Sequence, residues 1–352
     1  MRITVLLGGS SSERDVSLAS GLRIAQALRA RGHDVTSLDT ARGVITLDAE
    51  RTMLERGVMK TAPPDLAELA EITRTSLSLG TRAEVCEADV LFLALHGGQG
   101  EDGTVQALLD VTGVPYTGSG HLASALAMDK DLSKKLFRAA GVGTADWIMT
   151  DAIGAGASAD VVRASLEFPV IVKPSREGST VGLTLVRESH ELAGAIALAA
   201  RYDNEVMVER FIEGRELTVS VLGGDALPVV EIIPVHEIYD YECKYTKGMA
   251  VEEVPARLSP AATAEVQRQA LEAFRALKLG GYGRLDFRMT RAGAFFCLEA
   301  NTLPGMTELS LFPQAAAAAG LDFGSMCERI VNLALEKPSA KSDAAAAGHP
   351  GG

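Results

Sequence analysis

Apolar residues fall in short, nearly unbroken runs separated by stretches with helical spacing. Ile3 to Leu7 and Asp89-Val90-Leu91-Phe92-Leu93-Ala94-Leu95 read as strands buried on both faces, the signature of a parallel sheet. Between them Val16, Ala19, Leu22, Ala25 and Leu28 recur at helical spacing, Gly32 ends that helix, and Val35 to Leu38 gives another strand. A short helix from Thr104 to Asp110 and a strand from Val114 to Thr117 complete an N-terminal α/β unit, residues 1–122. Within it, residues 41–80 are irregular and read as a helical or loop insertion.

The pattern then changes. Leu122 to Ala140 is helical and closed by Gly141, and Gly154 to Ser158 reads as a turn. Strands at Phe168–Pro174, Leu183–Arg187 and Glu205–Phe211, with a helix near 190–202, make residues 123–212 a second unit. A third, 213–336, holds strands at Glu216–Leu222 and Ala226–Ile233, a polar loop at 235–255 and a long helix at 260–278. It continues with a hairpin, Tyr282–Met289 and Ala294–Ala300 around Arg291-Ala292-Gly293, and two helices ending near Lys337. The tail, 337–352, is rich in Ala, Ser, Gly and Pro and is expected to be disordered. The whole is an α/β (α+β) chain of three units.

Composition narrows the function. Among 352 residues, 46 are acidic and 34 basic, for a formal charge of −12. So acidic a chain lacks the basic footprint of a nucleic-acid binder. No apolar run approaches the roughly 20 residues that span a bilayer, and the start reads as no secretory signal. Cys86, Cys243, Cys297 and Cys327 are far apart, which argues for free thiols in a reducing cytoplasm.

Several clusters carry candidate chemistry. In Lys173-Pro174-Ser175-Arg176-Glu177-Gly178-Ser179-Thr180-Val181-Gly182 a strand delivers a lysine to a loop of small residues. Backbone N–H groups of such a loop can wrap phosphate oxygens; a plain strand–turn–strand with a surface lysine would use the same residues. No Walker A motif occurs. Gly118-Ser119-Gly120-His121-Leu122-Ala123 imitates a dinucleotide fingerprint but lacks a ribose-binding acid, and reads as a helix entry. On the hairpin, Glu299 and Asn301 share a face, and pairing about Ala292 brings Asp286 and Arg284 to it. Two carboxylates and an amide oxygen are hard ligands suited to Mg²⁺ bound with phosphates; a solvated polar strand face is the alternative. Thr302-Leu303-Pro304-Gly305 can present backbone N–H groups beside that face. Glu13 and His96 stand at carboxyl ends of strands, where open α/β sheets bind ligands; Glu13 equally suits a helix dipole. Tyr239-Asp240-Tyr241-Glu242-Cys243-Lys244-Tyr245 is aromatic for a loop.

Taken in order, Leu6-Leu7-Gly8-Gly9…Glu13, His96-Gly97-Gly98-Gln99-Gly100-Glu101-Asp102-Gly103, Tyr116-Thr117-Gly118-Ser119-Gly120 and Met128-Asp129-Lys130 form a recognisable series. The series continues with Val172 to Ser179, Tyr239 to Tyr245, Gly283-Arg284-Leu285-Asp286 and Leu298-Glu299-Ala300-Asn301-Thr302…Pro304-Gly305-Met306-Thr307. From Ile3 to about Ala334 the chain resembles the D-alanine–D-alanine ligases of the ATP-grasp superfamily.

The resemblance implies a three-domain ATP-grasp fold with a Rossmann-like N-terminal domain and ATP between the other two. It implies ATP as co-substrate, two Mg²⁺ (or Mn²⁺) ions on Asp286, Glu299 and Asn301, and a cytoplasmic homodimer. Lys130 and Lys173 match phosphate-binding positions, Glu209 and Ile212 adenine-binding ones, Glu216 the one for the ribose hydroxyls, and Ser179 and Lys244 further nucleotide-binding positions. The 176–182 loop corresponds to a lid. Glu13 matches the position holding the first D-alanine's ammonium, oriented by Ser179 and Tyr245, with His96 also at the substrate. Ser310 and Leu311 match the grip on the second carboxylate, although Glu308-Leu309 departs from the more polar pairs of some relatives. Arg284 and Gly305 match the oxyanion donors. A D-alanine–D-lactate ligase and a non-catalytic nucleotide-binding module are the rival readings, and the intact acidic and arginine positions disfavour the second.

Overall fold

The structure is a computed structural model that describes residues 1–58, 79–151, 161–236 and 248–336. Lys244 and Tyr245 with their aromatic loop, the turn at Gly154–Ser158 and the tail from 337 lie outside the described residues, as does much of 41–80.

The first sheet comprises β1 (Arg2–Leu7), β2 (Asp34–Asp39), β3 (Gly43–Ile45) and β4 (Val90–Leu93), ordered β3-β2-β1-β4. β1 lies parallel to β2 and β4, and β3 is antiparallel at the edge. The strand expected at Val114–Thr117 shrinks to one parallel bridge between Leu91 and Tyr116. Pro115 explains this: its carbonyl accepts from Leu91 N–H at 2.8 Å, but it has no N–H to extend the ladder.

The helix expected over Leu122–Ala140 is two, His121–Met128 and Lys130–Ala139. Asp129 separates them because its side chain accepts from Leu132 N–H at 3.0 Å and caps the second helix. The break turns Lys130 toward the centre of the molecule.

The second sheet, β5 (Trp147–Asp151), β6 (Val170–Pro174), β7 (Thr184–Val186) and β8 (Glu205–Arg210), is antiparallel in the order β5-β8-β6-β7. Val170, Val172, Val206 and Val208 bury one face of it against the helix Leu192–Ala199.

The third sheet runs β12-β11-β9-β13-β14, from β9 (Arg215–Leu222), β11 (Val230–Pro234), β12 (Ala250–Glu253), β13 (Tyr282–Met289) and β14 (Phe295–Asn301). A short β10 (Asp225–Ala226) pairs with β9. Ala226–Ile233 is therefore not one strand; Pro228 interrupts the ladder. β12 sits inside the stretch expected to be a polar loop. It is an edge strand, with Val251 exposed, so it lacks the apolar face that marks strands in sequence. The helix Pro260–Ala276, capped by the Ser259 hydroxyl, packs on β9 and β13. The last helix, Phe323–Leu335, returns to the helix Arg14–Ala30, and its Met326, Cys327, Ile330 and Val331 join the core of the first sheet.

Candidate active site

The polar face of the hairpin lies where the three sheets converge. Arg284 pairs with Asn301 and Asp286 with Glu299, so all four side chains share one face; pairing centred on Ala292 alone would set Asp286 against Leu298, and a bulge brings Glu299 opposite it instead. Just beyond Asp286 the register shifts, so that Phe287 pairs with Cys297 and leaves Leu298 without an opposing residue. This bulge reverses the parity of β14. Phe295 and Cys297 face the core on one side of it, while Leu298 and Glu299, though consecutive, both line the cleft.

Asp286 anchors the face. Arg284 Nε and Nη2 donate to its two oxygens at 2.8 Å each, Asn301 Nδ2 at 2.9 Å and the Thr218 hydroxyl at 2.8 Å. Glu299 lies 3.5 Å from Lys130 Nζ, which also donates to the Glu177 carbonyl at 2.7 Å.

A second charge cluster stands behind β6 and β8. Lys173 Nζ meets Glu209 Oε1 at 2.5 Å, and Lys134 Nζ meets Oε2 at 2.9 Å. All three groups are buried. Burial alone would raise the Glu209 pKa, but the two ammonium groups overcome it and hold the carboxyl down at about 2. Glu216 pairs with Arg288 at 3.2 Å.

Glu13 decides between its two readings by where its carboxylate goes. It stands at the N-cap of the helix Arg14–Ala30 yet makes no capping bond. Instead it accepts from the Ser179 hydroxyl, 166 residues away, on the loop after β6. Ser179 (φ 48°) and Thr180 (φ 61°) are both in the left-handed region, a strained backbone that places this hydroxyl. A Cβ at Gly178 would lie 2.8 Å from Glu13 Oε2, so any larger residue there would displace the Glu13 carboxylate.

These residues line two adjoining cavities of about 100 and 110 Å³ that share Lys130, Arg284, Glu299 and Leu311. The first gathers Glu13, His96, Ser179, Asn301, Gly305 and Ser310. The second gathers Lys173, Glu209, Ile212, Glu216 and Asp286, with Ile171, Val181, Leu183 and Phe211 as an apolar wall. Leu311 opens the helix Leu311–Ala318, whose first N–H groups lack intrahelical partners and suit an anion. Of the site residues expected from sequence, only Lys244 and Tyr245 lie outside the described residues.

Sequence reasoning missed Lys134, although it stands four residues after Lys130 on the same helix face. It also missed the role of Glu101, which accepts N–H bonds from Gly97, Thr302 and Leu303 at 3.1 Å each. Burial, then the charge of Glu13, push Glu101 up to about 7, and burial with Glu13 does the same to Glu177.

The donor set of Asp286, Glu299 and Asn301 fits Mg²⁺ or Mn²⁺. Two carboxylates and an amide oxygen are hard ligands, and phosphate oxygens would add others of the same kind. Among the described residues no three His, Cys, Asp or Glu side chains gather into a metal site of their own. No helix among them is long and apolar enough to cross a membrane.

The chain is similar to known proteins along most of its length. The family profile for the D-ala D-ala ligase N-terminus matches residues 2–119, and that for the C-terminus matches residues 136–332. A D-alanine–D-alanine ligase of Geotalea uraniireducens is 42% identical over 338 residues, covering 96% of this chain and 97% of that one. The crystal structure of the D-alanine–D-alanine ligase from Bacillus anthracis superposes with a TM-score of 0.74 at 33% identity, covering 95% of this chain and 97% of that one. The D-Ala:D-Ser ligase VanG from Enterococcus faecalis gives a TM-score of 0.75 at 29% identity, covering 95% and 99% respectively.

Proposed function

Because the chain belongs to the D-alanine–D-alanine ligase family of the ATP-grasp superfamily, and joins two D-alanine molecules with ATP for peptidoglycan precursor synthesis, we propose how its residues divide that reaction. ATP occupies the second cavity. Its adenine lies against the apolar wall near Glu209 and Ile212, its ribose hydroxyls meet Glu216, and its phosphates meet Lys130, Lys173 and, from sequence, Lys244. Asp286, Glu299 and Asn301 hold Mg²⁺ or Mn²⁺, which supplies charge neutralisation for the transferring phosphoryl group.

The first D-alanine occupies the other cavity. Its ammonium faces Glu13, with Ser179 and Tyr245 orienting it and His96 at its side. A carboxylate is a poor electrophile, so it first attacks the γ-phosphorus, releasing ADP and forming an acyl phosphate. The second D-alanine, its carboxylate held at Ser310 and Leu311, attacks the acyl carbon through its neutral amine. Arg284 and the Gly305 N–H stabilise the tetrahedral oxyanion, and phosphate then leaves. Water has to be kept out, since it would hydrolyse the acyl phosphate; the strained 176–182 loop is the proposed lid. We assign residues 1–122, 123–212 and 213–336 to the three domains.

The observation that supports this division most is the wall shared by the cavities. Lys130, Arg284 and Glu299 line both cavities, which suits a γ-phosphoryl group in one meeting a carboxylate in the other. The test is ADP release with D-alanine, D-lactate and L-alanine offered singly and in pairs, repeated on Glu299→Ala. D-alanine alone should sustain turnover, and the variant should fold but lose it. A Glu299→Ala enzyme that turns over normally refutes the metal assignment; D-lactate required as the second partner favours the depsipeptide reading.

A further inference from the structure

The loop Pro304-Gly305-Met306-Thr307 carries the proposed oxyanion donor, yet it belongs to no helix or strand. Side chains from the helix Arg14–Ala30 hold its backbone. The Ser20 hydroxyl oxygen accepts from Met306 N–H at 3.0 Å. Arg23 Nη1 donates to the carbonyls of Met306 at 2.9 Å and Thr307 at 2.7 Å. The same guanidinium lies 3.8 Å from the ring centroid of Phe323, which fixes its plane from the far side.

A third group closes the ring. His96 Nε2 is 3.3 Å from Ser20 Oγ, and the imidazole also bonds to the backbone of Leu303. Ser20 is fully buried. Because its oxygen accepts the Met306 N–H, its own proton can go to His96 Nε2, provided that nitrogen is unprotonated. Burial lowers the His96 pKa and favours that neutral form. The backbone on both sides of Pro304-Gly305 is thus tied to His96, at Leu303 directly and at Met306 through Ser20.

Gly305 has little slack of its own. A Cβ there would lie 2.7 Å from Ser310 Oγ, and Ser310 Oγ in turn accepts from Thr307 N–H at 2.9 Å. A shift of the loop would therefore move the oxyanion donor and the second-substrate subsite together.

We propose that Ser20 and Arg23 are positioning residues for the ligation: with His96 they form a clasp, built by the N-terminal helix, that fixes the Gly305 N–H at the oxyanion. Ser20 and Arg23 are absent from the lining of both cavities, so they act through the loop rather than on substrate. The inference rests on the role given to Gly305 above. A misplacement of about 1 Å can cost on the order of a hundredfold in rate, which sets the scale of the effect.

The test compares Ser20→Ala, Arg23→Ala and Arg23→Lys with the native full-length enzyme. Ser20→Ala keeps a good helix former and so retains the fold should Arg23→Ala, which also loses the Phe323 contact, fail to fold. Three quantities are measured: dipeptide-forming kcat, the Kd of a non-hydrolysable ATP analogue, and amide hydrogen exchange of the peptide spanning Thr302–Thr307. The expected result is a kcat at least tenfold lower in both alanine variants, partial recovery in Arg23→Lys, and an analogue Kd within twofold of native. Exchange at Met306 and Thr307 should be faster. Unchanged exchange in folded Ser20→Ala overturns the clasp itself. Faster exchange with full turnover overturns the inference through the role given to Gly305. A fall in analogue affinity that matches the fall in kcat overturns it in favour of general loosening.

Discussion

Replacing Lys134 with methionine tests how the nucleotide end of the cleft is held. The ammonium it removes is fully buried, donating to Glu209 Oε2 at 2.9 Å and to the Thr144 hydroxyl at 2.7 Å; Thr144 passes its own proton to the Cys297 carbonyl at 2.8 Å. Lys134 and Lys173 together draw Glu209 from an ordinary 4.5 to about 2 despite burial. That difference corresponds to about 3 kcal/mol favouring the folded carboxylate. Lys173 remains in the variant, so Glu209 keeps one ammonium of two; burial, which lowers the Lys134 pKa, opposes the pair, and Lys134→Met should lose about 2 kcal/mol at pH 7, in line with a hydrogen bond to a charged group. The sign with pH follows from linkage. A carboxyl whose folded pKa is depressed contributes fully above its unfolded value near 4.5 and loses that contribution as pH falls through about 2. The gap between native and variant should therefore hold from neutral pH down to about pH 5 and narrow at more acid pH. Urea unfolding of the ligand-free enzyme at several pH values measures it, and a double-mutant cycle with Glu209→Gln isolates the pair. Equal stability at neutral pH, or a gap that does not narrow under acid, would refute the reasoning.

Arg284→Ala removes one of the two proposed oxyanion donors and should lower turnover by roughly a hundredfold or more, with a smaller change in ATP affinity; equal losses in both would reassign Arg284 to the nucleotide. Glu177→Gln should change how stability varies with pH. Burial, then Glu13, push Glu177 up to about 7, so the folded state keeps a proton that the unfolded chain has released, and native stability falls as pH rises from about 4.5 to about 7. Thermal or urea unfolding at either end of that window should show Glu177→Gln gaining up to about 3 kcal/mol on the native enzyme at the alkaline end, and parallel pH slopes would count against it.

How much of this was legible in the sequence varied with the range of the interaction. The acidic face of the hairpin could be read only in part: alternation sets Arg284 with Asp286 and Glu299 with Asn301, but the turn at Arg291–Gly293 by itself puts Asp286 opposite Leu298, and the extra residue of a bulge brings the two pairs together. The bulge after Asp286 could not. Phe295-Phe296-Cys297-Leu298 is apolar at every position, so a change of parity leaves no mark in the pattern. Proline positions did carry information that went unused: Pro115 and Pro228 each end a ladder where continuous strands were expected. Glu13 shows the limit most clearly. Its local context suits a helix dipole, and only tertiary folding reveals that its carboxylate serves Ser179 instead. Lys134 was visible as a position but not as a participant, because its partner Glu209 is 75 residues away on another sheet.

The same fold sorts the buried acids of the cleft into two classes. Glu209 has an ammonium on each oxygen and is held ionised at about 2. Glu101 and Glu177 are also buried, but the charge nearest in effect is another carboxylate, Glu13, and both are pushed up to about 7. Burial is common to all three, so it cannot be what separates them; the sign of the neighbouring charge is. At the nucleotide end, fixed ion pairs keep the geometry ready for an anionic ligand without reorganisation. Around Glu13, burial and then the Glu13 charge hold Glu101 and Glu177 partly protonated near neutral pH. Under the proposed assignment, an ammonium bound at Glu13 would favour the ionised forms of these two carboxyls as well, so its binding should release protons near neutral pH.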